Sequence, residues 1–107
     1  MDSTGYIYVP SKCQLLASEC KQLLLFFHGC LGGREYVGPN VILEAGFPEE
    51  LEARGIVGVF PQIKRSQDRN PFGCWNYLGY LPQDPEYYAR PGVQIQILRN
   101  MIQSMMV

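Results

Sequence analysis

An apolar run that ends at a glycine-rich turn constrains the fold of this chain more than any other feature. Residues 22–28 have the sequence QLLLFFH, a run of strand length without polar alternation. Such a run is typical of a strand that is buried on both faces of a parallel sheet. The next residues, 29–33, have the sequence GCLGG, and their glycines allow backbone conformations that are closed to other residues. The segment therefore predicts a doubly buried strand that runs directly into a tight turn.

Two further strands are predicted on either side of this segment. Residues 6–9 (YIYV) are aromatic and β-branched and are stopped by Pro10. Residues 56–60 (IVGVF) form a second buried strand, closed by Pro61. The order strand, strand, helix, strand, long loop, helix is typical of an α/β layered sheet. Two strands buried on both faces need neighbours that this chain cannot supply, so the pattern predicts one flank of a larger α/β domain.

Helical periodicity covers the remaining regular segments. Residues 35–45 are predicted as a helix that breaks and then resumes over residues 49–54. Pro48 and the two glutamates after it suit a first helical turn, and Gly55 suits a helix end. The last predicted helix starts after Gly92. Its apolar residues share one face: Val93, Ile97, Leu98, Met101, Ile102 and Met105.

Charge and composition exclude several classes of partner. Nine basic and ten acidic residues leave a formal net charge of −1, which offers neither a basic field for nucleic acid nor a polybasic patch for a membrane. No apolar run approaches the length of a membrane span, and no signal-peptide pattern follows Met1. No Gly-Lys-Ser/Thr follows the glycines, so no phosphate-binding loop is predicted. We therefore expect no nucleic acid, membrane or cofactor as a partner.

Four cysteines, Cys13, Cys20, Cys30 and Cys74, could be metal ligands or disulfides. Zinc sites need closely spaced ligand pairs, and no Cys-x-x-Cys spacing occurs, so no metal site is predicted. Two disulfides fit better, and a local pair Cys13–Cys20 leaves Cys30–Cys74 by elimination. The second bridge would tie the turn at residues 29–33 to a distant aromatic loop, which indicates that the two belong to one site.

The turn has two interpretations that the residues leave open. It is either a structural connection or half of an oxyanion hole, in which the N–H of Cys30 points at a carbonyl oxygen that becomes negative during attack. His28 is the only histidine, but a catalytic histidine needs a nucleophile and an acid, and no Gly-x-Ser-x-Gly motif is present. We therefore interpret His28 and Gly29 as residues that shape the loop.

Residues 62–91 lack a period, and a loop of that length in a compact domain is usually functional. Within it, residues 70–80 (NPFGCWNYLGY) are dense in aromatic side chains. These rings either pin the loop to the core or form an apolar wall for a ligand, with Trp75 as its main platform. Composition alone favours the first interpretation.

Five stretches, spread across nearly the whole chain, carry a resemblance to a known family. They are MDSTGYIYVPSKC, LLLFFHGCLGG, ARGIVGVFPQ, NPFGCWNYLGY and YYARPGVQIQILRNMI. In this order they resemble the extracellular poly(3-hydroxybutyrate) depolymerases with a circularly permuted catalytic domain. The resemblance implies a partial α/β-hydrolase fold, with about three strands and flanking helices of a larger, mostly parallel sheet. Residues 1–107 would be the C-terminal portion of that domain, and the Ser-Asp-His triad would lie upstream of the residues matching Tyr6.

The resemblance also implies roles for individual residues. The backbone N–H of Cys30 would donate to the oxyanion, and Trp75 and Tyr77 would line the site for a polyester or a small ester. Cys13 and Cys20, like Cys30 and Cys74, match cysteines of the family.

The same resemblance implies an extracellular protein whose partner is the missing N-terminal part of the same domain, and a chain that is inactive alone. Two other functions stay open. One is a non-catalytic module that binds a polyester or an apolar ligand, and the other is a non-functional truncated product.

Overall fold

The computed structural model describes residues 1–15, 20–77, 79 and 84–105. Its sheet contains strands β1 (Tyr6–Tyr8), β2 (Leu23–Leu25) and β3 (Val57–Phe60) in the order β1-β3-β2. β3 pairs in parallel with β2 and antiparallel with β1. The three described strands therefore form a mixed sheet, in which β2 lies parallel along one edge of β3 and β1 lies antiparallel along the other.

The helices are α1 (Ser11–Leu15), α2 (Arg34–Val37), α3 (Asn40–Glu44), α4 (Phe47–Arg54) and α5 (Val93–Met105). The prediction of one helix over residues 35–45 is wrong. Gly38 adopts a left-handed φ of 55° and Pro39 lacks an N–H donor, so the stretch divides there. Pro48 in the first turn of α4 and a left-handed Gly55 at its end, with φ 66°, agree with the predicted boundaries.

The five-residue helix α1 was not predicted, because one short turn shows no hydrophobic period.

The core is small and centres on three aromatic rings, Phe26, Phe47 and Phe60, which we call the core cluster. Phe60 is fully buried, and its ring centroid lies 5.3 Å from that of Phe47 and 6.2 Å from that of Phe26. β3 is buried over most of its length, as predicted. β2 is not buried on both faces, because it lies at the edge of the described sheet and leaves Leu24 37% exposed.

The surface of the chain is large for its size. The accessible area is 7102 Å², whereas a compact monomer of this mass exposes roughly 6,100 Å². In α5 Leu98 is buried, but Val93 and Ile97, on the face predicted to be apolar and packed, are 49% and 41% exposed. Among the described helices, none has the length and apolar character to cross a membrane.

Candidate functional site

Two exposed residues of the turn that follows β2, Gly29 and Cys30, have backbone N–H groups that no described acceptor binds. The N–H of Leu31 donates to the carbonyl of Phe72 (2.8 Å), and that of Gly32 donates to Gly29 (3.0 Å). Leu31 adopts a left-handed φ of 63°, which is unfavourable for a residue with a side chain. Cys30 is exposed, and no acceptor among the described residues binds its N–H. The turn therefore presents the Cys30 N–H to the surface.

His28 fixes the base of this turn through both ring nitrogens. The N–H of Ile63 donates to Nε2 (3.0 Å), so the ring proton lies on Nδ1, which donates to the carbonyl of Gly29 (2.7 Å). The side chain is 7% exposed. A Cβ on Gly33 would lie only 2.8 Å from the carbonyl oxygen of Ile63, so the backbone there approaches too closely for any side chain. With both nitrogens engaged, His28 has no lone pair left to act as a base.

A disulfide joins the turn to the aromatic loop. Cys30 and Cys74 are bonded, with their Cα atoms 4.3 Å apart. Asn70, which is 6% exposed, accepts from the N–H of Cys74 and donates to its carbonyl, both at 2.8 Å. The sequence predictions missed Asn70, although an Asn-Pro pair is a known turn signal. The second disulfide joins Cys13 and Cys20, with a Cα separation of 5.5 Å.

Apolar side chains surround this junction, and we call Phe27, Leu31, Phe72 and Trp75 the aromatic surface. The ring of Trp75 meets Phe27 edge-to-face at 5.0 Å and lies 5.8 Å from His28. Phe27, Leu31 and Phe72 are 46%, 52% and 57% exposed. The structure therefore brings the Trp75 ring to the turn that carries Cys30.

Tyr77 lies on the same loop and is 60% exposed. The last part of the predicted aromatic segment, Leu78 and Tyr80, lies outside the described residues.

The chemistry of the junction suits a neutral carbonyl compound. An apolar cavity of about 80 Å³ lies against the turn and is lined by Phe26, His28 and Gly29 among others, but not by Cys30, Trp75 or Tyr77. Among the described residues, no group of three His, Cys, Asp or Glu side chains could hold a metal ion. The Asp2 carboxylate pairs with Arg34 at 2.8 Å, and this hydrogen bond lowers the pKa of Asp2. The described part of the junction therefore combines a backbone donor with apolar side chains.

The described strands and helices form an α/β arrangement in which the glycine-rich turn follows the carboxyl end of the parallel strand β2. No family model matches the chain. It is similar to a polyhydroxybutyrate depolymerase of Talaromyces funiculosus, with 27% identity over 95% of this chain and 32% of that protein. It is also similar to a poly(3-hydroxybutyrate) depolymerase of Delftia acidovorans, with 26% identity over 95% of this chain and 20% of that protein.

Two solved structures share the described architecture. One is a PHB depolymerase from Penicillium funiculosum, with a TM-score of 0.68 and 27% identity over 89% of this chain and 31% of that one. The other is a PHB depolymerase variant complexed with an R3HB trimer, with a TM-score of 0.61 and 30% identity over 75% of this chain and 28% of that one. The chain is thus a relative of the polyhydroxybutyrate depolymerases, and the resemblance carried by its motifs is confirmed. It spans a fifth to a third of the length of these proteins.

Proposed function

We propose that residues 1–107 form the ester-binding portion of a secreted polyester hydrolase with an α/β-hydrolase fold. In the complete site a serine attacks the ester carbonyl, a histidine moves the proton and an aspartate orients that histidine. This segment supplies the other half of the site and lacks the triad. The relatives' names and the bound R3HB trimer of one of them support a polyester substrate. The two disulfides fit an oxidising compartment.

The exposed, unused N–H of Cys30 carries this proposal. An oxyanion hole keeps a backbone donor aimed at the substrate, and the exposed Cys30 has an N–H that no described acceptor binds. The disulfide to Cys74 and the strained Leu31 hold that donor in place. A Cβ on Gly29 would meet nothing within 4 Å, so open space lies beside the donor where a carbonyl group would approach. Loss of one such donor reduces the rate of a complete enzyme by about 10²–10³.

Trp75 and Tyr77 form the apolar wall of the proposed site. Trp75 packs on Phe27 and on the ring of His28, so its orientation is fixed by the same turn. Large aromatic groups beside a few polar donors are typical of small-ligand sites. The alkyl part of the ester would lie along Trp75 while its carbonyl oxygen accepts from Cys30. His28 and Gly29 then serve to shape the loop.

A binding assay on poly(3-hydroxybutyrate) granules tests the proposal. We expect the oxidised chain to bind the granules, and Trp75→Ala to weaken this binding by about 30-fold, the effect of losing a central aromatic contact. Tyr88→Ala serves as the control, because Tyr88 is also exposed (78%) but lies outside the junction. The chain should hydrolyse a short-chain nitrophenyl ester no faster than its Trp75→Ala variant. Equal granule binding by the two, or robust hydrolysis by the chain alone, would contradict the proposal.

A non-catalytic polyester-binding module is a second candidate, favoured by one observation. The only histidine of the chain is held by two backbone groups and cannot serve as a base. One experiment distinguishes the two functions: the chain is mixed with the part of the Talaromyces relative to which it has no match. Recovered ester hydrolysis supports the enzyme, whereas granule binding without any hydrolysis supports the module.

A further inference from the structure

A second cavity, of about 340 Å³, adjoins the junction and is lined by cationic and amide side chains. Its basic lining residues are Lys64, Arg65 and Arg69. Two other lining residues connect it to the turn: Cys74 is bonded to Cys30, and Ile63 donates its N–H to His28. The cavity thus lies next to the proposed ester site, and the same disulfide and the same hydrogen bond hold both in place.

The charged side chains among the described lining residues of this cavity are all basic. No acidic residue is among its described lining residues, and none of the three basic side chains forms an ion pair with a described residue. Two carboxylates lie near it. Asp2 pairs with Arg34 and also interacts electrostatically with Lys64. Glu35 accepts from the backbone N–H of Arg65. Three unpaired cations around one concave surface attract an anion.

A buried amide group in the cavity lacks a hydrogen-bond acceptor. Asn76 lines the cavity and is only 4% exposed. Its Oδ1 accepts from the N–H of Gly79 (3.0 Å), and its own backbone N–H donates to the side chain of Gln94 (2.9 Å). The bond from Gly79 fixes which amide atom is the oxygen, so the other is the NH₂ donor. That Nδ2 has no partner within the described part of the chain, and a buried unsatisfied donor calls for an oxygen ligand.

We propose that this cavity binds the free carboxylate of a 3-hydroxy acid, with Asn76 Nδ2 and Arg69 donating to its oxygens. This assignment rests on the proposed function, since hydrolysis of a polyester leaves a carboxylate beside the catalytic turn. The apolar side chain of Ile63 suits the short alkyl part of such an acid. The cavity volume is at the lower end of the range of small-ligand sites, which suits an acid of one or two units. The segment therefore recognises the acid end of its substrate or product.

Titration of the oxidised chain, followed by amide NMR, tests the inference. Sodium 3-hydroxybutyrate should shift the Asn76 side-chain resonances saturably, while methyl 3-hydroxybutyrate at equal ionic strength should not. Arg69→Gln should weaken binding of the acid about tenfold, as expected for loss of one charge-assisted hydrogen bond. The matched variant Arg99→Gln, on α5 outside the cavity, should bind the acid as the unmodified chain does.

Asn76→Asp gives a second, independent variant. It keeps the acceptor for Gly79, removes the Nδ2 donor and adds a negative charge, so it should abolish binding of the acid. Equal binding of the methyl ester, tighter binding of inorganic phosphate, or an unchanged Arg69→Gln variant would each overturn the inference. Granule binding through Trp75 with no binding of the acid overturns this inference alone. Binding of the acid with no granule binding overturns the proposed function instead.

Discussion

Two neighbouring phenylalanines divide the molecule into a stabilising half and an exposed half, which we propose as the ligand-facing side. Phe26 packs in the core cluster, with its ring centroid 4.9 Å from that of Phe47, whereas Phe27 is 46% exposed and meets Trp75. Adjacent residues of an extended chain project to opposite sides, so one apolar run supplies both halves. The comparison shows that hydrophobicity alone did not identify which rings form the core. Exposure does: Phe60 of the core cluster is fully buried, whereas Phe27, Leu31 and Phe72 of the aromatic surface are exposed.

The largest predicted difference between the two halves concerns Phe60 and Phe72. Phe60→Ala removes a fully buried ring and should lower the free energy of unfolding by about 3–5 kcal/mol. That loss is comparable with the total stability of a small domain, so most of the chain should unfold. Phe72→Ala, at a side chain that is 57% exposed, should change stability by at most about 0.5 kcal/mol. Thermal unfolding by circular dichroism measures both, and equal losses would remove the distinction.

A second prediction separates two glycines of the same turn. Gly33→Ala places a Cβ 2.8 Å from the Ile63 carbonyl and 3.3 Å from the His28 ring. This overpacking should cost about 1–3 kcal/mol. Gly29→Ala meets no neighbouring atom within 4 Å, so its stability should stay within about 1 kcal/mol of that of the unmodified chain. Urea unfolding of the two variants measures these changes. A greater loss of unfolding free energy for Gly29→Ala than for Gly33→Ala would contradict the claim that the turn is packed at Gly33 and open at Gly29.

The smallest predicted effect is a pH dependence in the stabilising half. Glu52 on α4 accepts from the N–H of Ser11 (3.1 Å) and from the hydroxyl of Tyr8 (2.8 Å), and these hydrogen bonds lower its pKa below the ordinary 4.5. A carboxyl whose pKa is lowered by folding stabilises the protein above its unfolded pKa, and this contribution is lost as the pH falls through the folded pKa. Glu52→Gln should therefore reduce the melting temperature near pH 6 and make less difference near pH 3.

Glu44→Gln is the matched control for that measurement, because Glu44 is exposed and forms no hydrogen bond or ion pair with a described residue. A Glu52→Gln effect that stays constant from pH 6 to pH 3 would show that the hydrogen bonds of this carboxylate do not carry the stability.

Local signals predicted the parts of the fold that depend on neighbouring residues. Pro48 and Gly55 marked the ends of α4 because backbone geometry alone limits where these residues fit. The same rules also indicate a break at Gly38 and Pro39, which the predicted helix over residues 35–45 did not include.

The contacts that build the site could not be predicted in this way. His28 is fixed by Ile63, which lies 35 positions away, and the N-terminal N–H groups of α5 are bound by Asp84, nine and ten positions before them. Such pairings depend on the tertiary fold. The turn sequence predicted the Cys30 N–H as a candidate donor, whereas the unsatisfied amide of Asn76 is identified only once the neighbouring hydrogen bonds are known.

The amide resonance of Cys30 provides the most direct measurement of the central claim, that this N–H binds the ester carbonyl. A soluble methyl ester of a 3-hydroxybutyrate oligomer would be titrated into the oxidised chain and, in parallel, into Gly29→Ala, which adds a methyl group beside the donor. We expect a saturable downfield shift of the Cys30 N–H together with a change in the fluorescence of Trp75, the only tryptophan. Both responses should be lost in the folded Gly29→Ala variant. A Trp75 response without any shift at Cys30, or an unchanged response in Gly29→Ala, would contradict the account.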